Sequence, residues 1–396
     1  MRILIACSGY YPAYRGGGEI STKLLADGLR ESGCDVEVMA ASDSWAEDIV
    51  DGIKVIRVPS PNIYWSFQNA QKSFFEKFAW HTIDSFNLFA ASQFQKYIDF
   101  HNYDVVHTST IEDISPAIWQ LANAKGANVA HTMRSFSLLC LSASMLRNGQ
   151  CCERSCAHCW PFMALKRRYS KYVDAAVGIS EFILNKHIDH GFFQQADKHV
   201  IGNISGEMPH KSDHFTSTGK IGFIGRLEQT KGIETLLCAL PLLRGPKKIE
   251  LLVAGTGNKK YVSSLMEMGN ESNVQWLGFQ KPSEFFQKID VLVVPSIWDE
   301  PFGRVVIEAY SHGVPVIVAN RGGLPELVDN GKTGLIFEAA SVHSLAEKIC
   351  QIMNAPLLRQ AMSIAAVQMA EKFSQKEILS QHLTMYEALL TDTRRL

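Results

Sequence analysis

The chain has almost no net charge to offer a polyanion: 39 lysines and arginines face 40 aspartates and glutamates, a formal net charge of −1 over 396 residues. That balance excludes nucleic acid as a whole-protein partner, which would need a basic footprint. Long apolar runs are missing too. No stretch reaches the roughly 20 residues that a membrane-spanning helix takes. The apolar opening at residues 3–7 is too short for a secretory signal core and has the shape of a buried strand. The expected setting is therefore cytoplasmic, or at the inner face of the cytoplasmic membrane. Prolines (14) and glycines (28) are few and scattered, so the 46% apolar content describes an ordered globular protein. In a reducing compartment the nine cysteines are expected as thiols or metal ligands rather than disulfides.

What is present is a repeated alternation. The length exceeds one ordinary core and fits two domains. Strands read at 2–7, 35–40, 104–107, 128–131, 175–179 and 199–201, and again at 221–224, 249–254, 274–277, 291–294, 314–318 and 334–337, with helical stretches between them. Such alternation predicts an α/β protein of two doubly wound Rossmann-like domains with parallel sheets facing a cleft. Polar residues 205–219 form the expected linker between a domain at 1–204 and a second at 220–374, and residues 375–396 are expected as a helix packing back on the first. Residues 63–100 are crowded with aromatics, among them Phe74, Phe75, Phe78, Trp80 and Phe89. Core packing is their expected role, and a surface docking on lipid headgroups or a lipid-linked substrate is the alternative.

The stretch 291–318 reads strand, loop, helix, strand, and its loop 296–304 lies at the strand's carboxyl end, where doubly wound sheets bind ligands. The helix is predicted to begin near Pro301, with Gly303 allowing close backbone approach and the free N–H groups forming a phosphate cradle. Glu308, inside the helix, suits the two hydroxyls of a ribose; Glu300, outside it, suits whatever lies beyond the phosphates. Plain structural roles fit as well, Glu300 stabilising the helix dipole and Glu308 paired or solvated. In GFIGRLEQTKG, residues 222–232, Arg226 and Lys231 follow another strand and would neutralise a diphosphate, although surface cations usually serve only solubility. The run Gly16-Gly17-Gly18 just before the first helix would bring amides to a phosphate or sugar, or is simply a surface turn.

Taken together, EPFGRVVIE with its glutamates seven residues apart, GRLEQTKG, GGLPELVDNGKTG at 322–334 and YYPAYRGGGE near the N-terminus resemble the retaining nucleotide-sugar glycosyltransferases of the GT-B fold, family 4, over nearly the whole chain. The resemblance implies that Arg226 and Lys231 hold the donor diphosphate, Glu308 the ribose and Glu300 the donor sugar. It adds Gly17, Gly18 and the amides of Phe302, Gly303, Arg304 and Val305 to the phosphate site, and places His131 near sugar and acceptor, with Thr132 where an aspartate is usual. The implied reaction moves a sugar from a nucleotide-diphosphate donor to a hydroxyl with retained configuration. Arg226 and Lys231 would stabilise the leaving group, and no metal or other cofactor would be required for catalysis. The aromatic segment and the run Lys166-Arg167-Arg168 point to a glycan or lipid-linked acceptor, as in surface polysaccharide or lipopolysaccharide synthesis, with peripheral membrane association. A nucleotide-sugar epimerase on the same scaffold, or a non-enzymatic metal- or nucleotide-binding module, are the alternatives.

The cysteine-rich insertion at 140–159 carries C-x3-C-x2-C from Cys152 through Cys156 to Cys159, with Cys140 upstream. Four thiolates in so polar a stretch would close a structural zinc site or hold an iron–sulfur cluster; small buried thiols in a loop are the other reading.

Overall fold

The computed structural model describes residues 1–13, 16–68, 72–85, 87, 89–147, 149–206, 218–245, 248–269 and 273–391. The chain divides into two compact units. Unit 1 comprises Met1–Met145, Cys152–Ile204 and Gln375–Leu396; unit 2 comprises Leu146–Cys151 and Ser205–Ser374. Most of the 205–219 segment, residues 207–217, lies outside the described residues.

In unit 1 the strands are β1 Arg2–Cys7, β2 Asp35–Ser42, β3 Ala46–Val50, β4 Ile53–Pro59, β5 Val105–Thr108 and β6 Asn128–Met133. A two-strand ribbon, β7 Leu146–Arg147 and β8 Gln150–Cys151, belongs with unit 2, and β9 Ala175–Gly178 and β10 Asp197–Val200 complete unit 1. Its sheet runs β10-β9-β6-β5-β1-β2-β4-β3, parallel throughout except for the edge pair β3–β4. That hairpin, with Asp51-Gly52 at positive φ in its turn, was not read from the sequence, because β3 is largely exposed and carries no apolar run. The central strands are buried on both faces, as strands covered by helices on either side must be.

The first helix, Gly17–Glu31, starts two residues earlier than its apolar period predicts, so Gly17 and Gly18 sit in its first turn. Its main-chain start is capped by Glu19, whose Oε2 accepts from the Gly16 N–H at 2.9 Å. The buried stripe runs through Ser21, Thr22, Leu25, Ala26, Gly28 and Leu29, leaving Ile20 and Leu24 at its margin. Gly28 is there for close approach: a Cβ would stand 2.5 Å from Leu379 Cδ1 of the final helix, Gln375–Thr391.

Unit 2 is an all-parallel sheet of β11 Lys220–Ile224, β12 Glu250–Ala254, β13 Val274–Gly278, β14 Val291–Val294, β15 Val316–Ala319 and β16 Gly334–Phe337, in the order β13-β12-β11-β14-β15-β16. β15 begins two residues later than expected, since the Val314 N–H still serves the preceding helix by donating to the Ala309 carbonyl. β11 and β14 are neighbours at the centre of this sheet, so the loops after them share one edge. Among the described residues, no helix is long and apolar enough to cross a membrane.

Candidate active site

The loops after β11 and β14 bring two of the expected residues into contact. Lys231, from the short turn Gln229–Lys231, donates to Glu300 Oε1. Ser296 Oγ, fully buried, donates to the same oxygen at 3.2 Å. The two loops are tied at the main chain as well, the Ile297 N–H donating to the Thr230 carbonyl at 3.0 Å. Lys231 Nζ also lies 5.4 Å from the centre of the Trp298 ring. This places an ammonium, a carboxylate and a hydroxyl in one mostly buried cluster past the strand ends. Arg226 stands apart from that cluster: it is exposed and pairs with Glu228 at 3.1 Å.

The helix carrying Glu308 is Arg304–Ser311, so it begins three residues after Pro301. The reason is Gly303, whose φ of +107° is left-handed backbone that stops the helix from extending toward Pro301. Phe302 is buried and packs edge-on against Phe373, which leaves its main chain rather than its ring for any ligand. Glu308 is the fifth helical residue and takes 2.7 Å from Arg304 Nε, one turn earlier. Burial raises the Glu308 carboxyl above the usual range, against the lowering pull of Arg304.

Two supports of this loop were not read from the sequence. One is Ser296. The other is Gly322, at φ +57°, where a Cβ would fall 2.2 Å from the Glu300 carbonyl oxygen; beside it the Gly323 N–H donates to that oxygen at 2.7 Å. Glycine alone lets the 321–324 turn press on the Glu300 backbone, a reason for the GGLPELV motif that its composition does not reveal.

In unit 1 the structure corrects the place of His131. It is the fourth residue of β6 and only 3% exposed, enclosed by Trp119 at 5.0 Å and Phe193 at 5.5 Å between ring centres. Its orienting partner is the Thr108 hydroxyl, 2.9 Å from Nδ1, while Thr132 points to the other side and meets His107 Nε2 at 2.7 Å. Burial, with a smaller contribution from His187, pulls the His131 imidazole down to about 3, so it is a neutral, enclosed group within the strand. The first residue beyond β6 is Arg134, which donates from Nε to Ser109 Oγ at 2.7 Å and reaches Asn203 Oδ1. Its stem would lie 3.9 Å from a Cβ on Gly18, so the cation stands beside the glycine-rich helix start. Doubly wound sheets bind ligands past their strand ends, and Arg134 is the first residue past β6.

A cavity of about 190 Å³ in unit 1 is lined by Phe67, Trp80, Glu19, Asp84 and Glu112, among others. Lys166 closes part of it, and here too an expectation changes: Lys166 is buried and paired with Asp84 at 2.9 Å, so the basic run offers solvent only Arg167 and Arg168. The aromatic segment divides. Trp80 and Phe94 are core, whereas Phe74, Phe75 and Phe89 are each more than 75% exposed and Phe78 more than half, contrary to their expected packing.

None of the nine cysteines is in a disulfide. Cys156 Sγ lies 3.5 Å from Cys159 Sγ, which is 3.9 Å from Cys140 Sγ. Cys152 is partly buried, its N–H donating to the Met145 carbonyl at 2.6 Å. Among the described residues, no three His, Cys, Asp or Glu side chains are already closed around a metal-sized point.

Two Rossmann-like domains, one with a charged cluster past its strand ends, define the class of GT-B proteins, and solved structures of that class match over the full length. The Anabaena protein Alr3699/HepE in complex with UDP matches with a TM-score of 0.73 at 18% identity, covering 98% of this chain and 100% of its own. Sucrose-phosphate synthase from Thermosynechococcus elongatus matches with a TM-score of 0.74 at 19% identity, covering 98% of each. The model of "Glycosyl transferase 4-like domain" matches residues 16–203, and that of "Glycosyl transferases group 1" matches residues 205–369. A Klebsiella pneumoniae protein described as "Uncharacterized 42.6 kDa protein in cps region" is 34% identical over 83% of this chain and 87% of its own length. The D-inositol 3-phosphate glycosyltransferase of Corynebacterium glutamicum is 32% identical over 43% of each chain. The chain belongs to the family 4 type of GT-B glycosyltransferases.

Proposed function

We propose that this glycosyltransferase takes its sugar from a nucleoside diphosphate donor, retains the anomeric configuration, and delivers it to a lipid-linked glycan at a membrane face. The observation that carries the donor reading is the Lys231–Glu300–Ser296 cluster. An ammonium held at the edge of the sheet is placed to take up charge on a departing diphosphate, and Arg226, exposed and at the end of β11, would swing to the same phosphates. Main-chain amides at Phe302–Val305 would complete the phosphate contacts, and Glu308 would exchange its Arg304 partner for the ribose hydroxyls. The UDP bound to the Anabaena relative supports a nucleotide donor.

Retention is supported by the state of Glu300. Its carboxylate is engaged by Lys231 and Ser296 and is better suited to holding hydroxyls of the donor sugar than to attacking an anomeric carbon. Departure of the diphosphate and attack by the acceptor hydroxyl then occur on the same face, the diphosphate oxygen receiving the acceptor's proton. In unit 1 the proposed roles pass from His131 to Arg134, beside Gly17 and Gly18. Aromatic faces and carboxylates lining one cavity suit a glycan acceptor. The exposed Phe74, Phe75 and Phe78, with Arg167 and Arg168 in the same unit, suit an acidic lipid surface.

Incubation with a panel of nucleotide sugars, read by mass spectrometry, tests the reaction: nucleotide release that depends on a glycan acceptor is expected. An altered sugar without release would mean epimerisation and overturn it. Calorimetry with the bare nucleoside diphosphate tests the residue roles. Glu308→Ala should weaken nucleotide binding, whereas Glu300→Ala should leave it nearly intact and lose turnover; equal losses of affinity would sink the assignment.

A further inference from the structure

We infer that Cys140, Cys152, Cys156 and Cys159 form a structural zinc site that pins the segment following β6. Cys159 Sγ stands 3.5 Å from Cys156 Sγ and 3.9 Å from Cys140 Sγ, two contacts of a site that the ion itself would close. Four thiolates at about 2.3 Å from zinc in a tetrahedron stand roughly 3.8 Å from one another, and the two measured separations bracket that value. A disulfide would bring sulfurs to about 2.05 Å, and none is present.

The surroundings decide the matter more than the spacing does. Sulfurs also touch at such distances in apolar cores, but this is not one: between residues 140 and 158, Met145 is the one buried side chain among the described residues. Among the described residues, regular structure in the segment amounts to the two-residue strands β7 and β8. Ala143 and Met145 moreover hold positive φ, +54° and +47°, which costs energy for residues with a Cβ. A loop without a core, carrying strained backbone, needs another source of order, and metal binding supplies folding energy directly to such segments. Cys152 would supply the fourth sulfur: the Met145 carbonyl holds its main chain, and only three residues separate it from Cys156. On binding, each thiol gives its proton to solvent and its sulfur to the metal. A closed four-thiolate site leaves no open position, so the ion is structural. Its consequence is local: Cys140, Leu141 and Ala143 line the 190 Å³ cavity, and the metal would hold that wall in place.

The test uses the full-length protein purified under reducing conditions without added metal, analysed by elemental mass spectrometry. About one zinc per chain is expected, falling below roughly one fifth in Cys156→Ser and Cys159→Ser and unchanged in Cys238→Ser, whose thiol is exposed in unit 2. Should the variants fold poorly, cobalt exchange into the unaltered protein gives an independent reading: tetrahedral thiolate coordination produces an intense visible absorption that chelator removes. Less than about half an equivalent of zinc with all thiols reacting freely, iron in place of zinc, or a Cys156–Cys159 disulfide would each overturn the proposal. None of these readouts depends on transferase activity, so the donor reading stands or falls separately.

Discussion

In unit 2 the charged side chains Lys231, Glu300, Arg304 and Glu308 stand just beyond strand ends and in the first helical turns, and they pair with one another. In unit 1 the ionisable His107, His131, His187 and His382 are sealed inside, and burial pushes all four imidazoles down, to about 3 for His131 and His382 and about 4 for His187. Both units are doubly wound sheets, so the difference lies in position along the strand. A residue past the last sheet hydrogen bond is released toward ligand, and one three residues earlier is committed to a face of the sheet. His131 and Arg134 are separated by that distance: the first is enclosed within β6, and the second stands past its end.

The contrast can be broken most sharply at the buried ion pair of unit 1. Lys166→Met leaves Asp84 charged without its partner in a site where both side chains are at most 5% exposed, and should cost about 3–5 kcal/mol of unfolding free energy by denaturant titration. A loss below about 1 kcal/mol would return Lys166 to the surface as an electrostatic group. Next in size is Lys231→Ala, which should lower turnover at least tenfold, about 1.4 kcal/mol, while the fold persists. Because Lys231 bonds Glu300 directly, the double variant with Glu300→Ala should lose less than the two losses combined. Unchanged turnover in Lys231→Ala would remove it from the site.

The smallest effect on turnover belongs to His131→Phe. The ring fits the space between Trp119 and Phe193 and gives up the Thr108 hydrogen bond, so turnover should stay within about twofold. A tenfold fall at unchanged stability would restore His131 to the chemistry. The same variant has a signature in pH. His131 in the folded chain titrates near 3, below the roughly 6.5 of an unfolded histidine, so its contribution to stability is complete above pH 6.5 and is lost as the pH falls toward 3. Removing it should flatten the acid side of the stability curve by about one proton, close to 1.4 kcal/mol per pH unit between the two values, as read by denaturant titration at stepped pH.

Much of the architecture was legible because parallel strands covered on both faces are short continuous apolar runs, and β11, β12, β14 and β16 were read to within a residue. The edge strand β3 escaped because it is largely exposed and lacks that signal. The candidate site of unit 2 was visible in EPFGRVVIE and GRLEQTKG since its residues follow strands directly. Ser296 and Gly322 were not, since one acts through a hydrogen bond to Glu300 and the other by having no side chain where the Glu300 backbone passes.

What the sequence alone determined is the alternation of strands and helices, the two doubly wound sheets and the family to which the chain belongs, because periodicity and motif spacing are local properties. Only the tertiary structure decided which charges are paired, which histidine is core, which aromatics face solvent and which sulfurs meet. Those outcomes depend on the face to which a side chain is turned and on what packs against it from residues far away in the chain. Lys166 meeting Asp84, Lys231 meeting Glu300 and Cys140 meeting Cys159 are contacts across 82, 69 and 19 residues, set by how the elements stack rather than by what precedes or follows each residue.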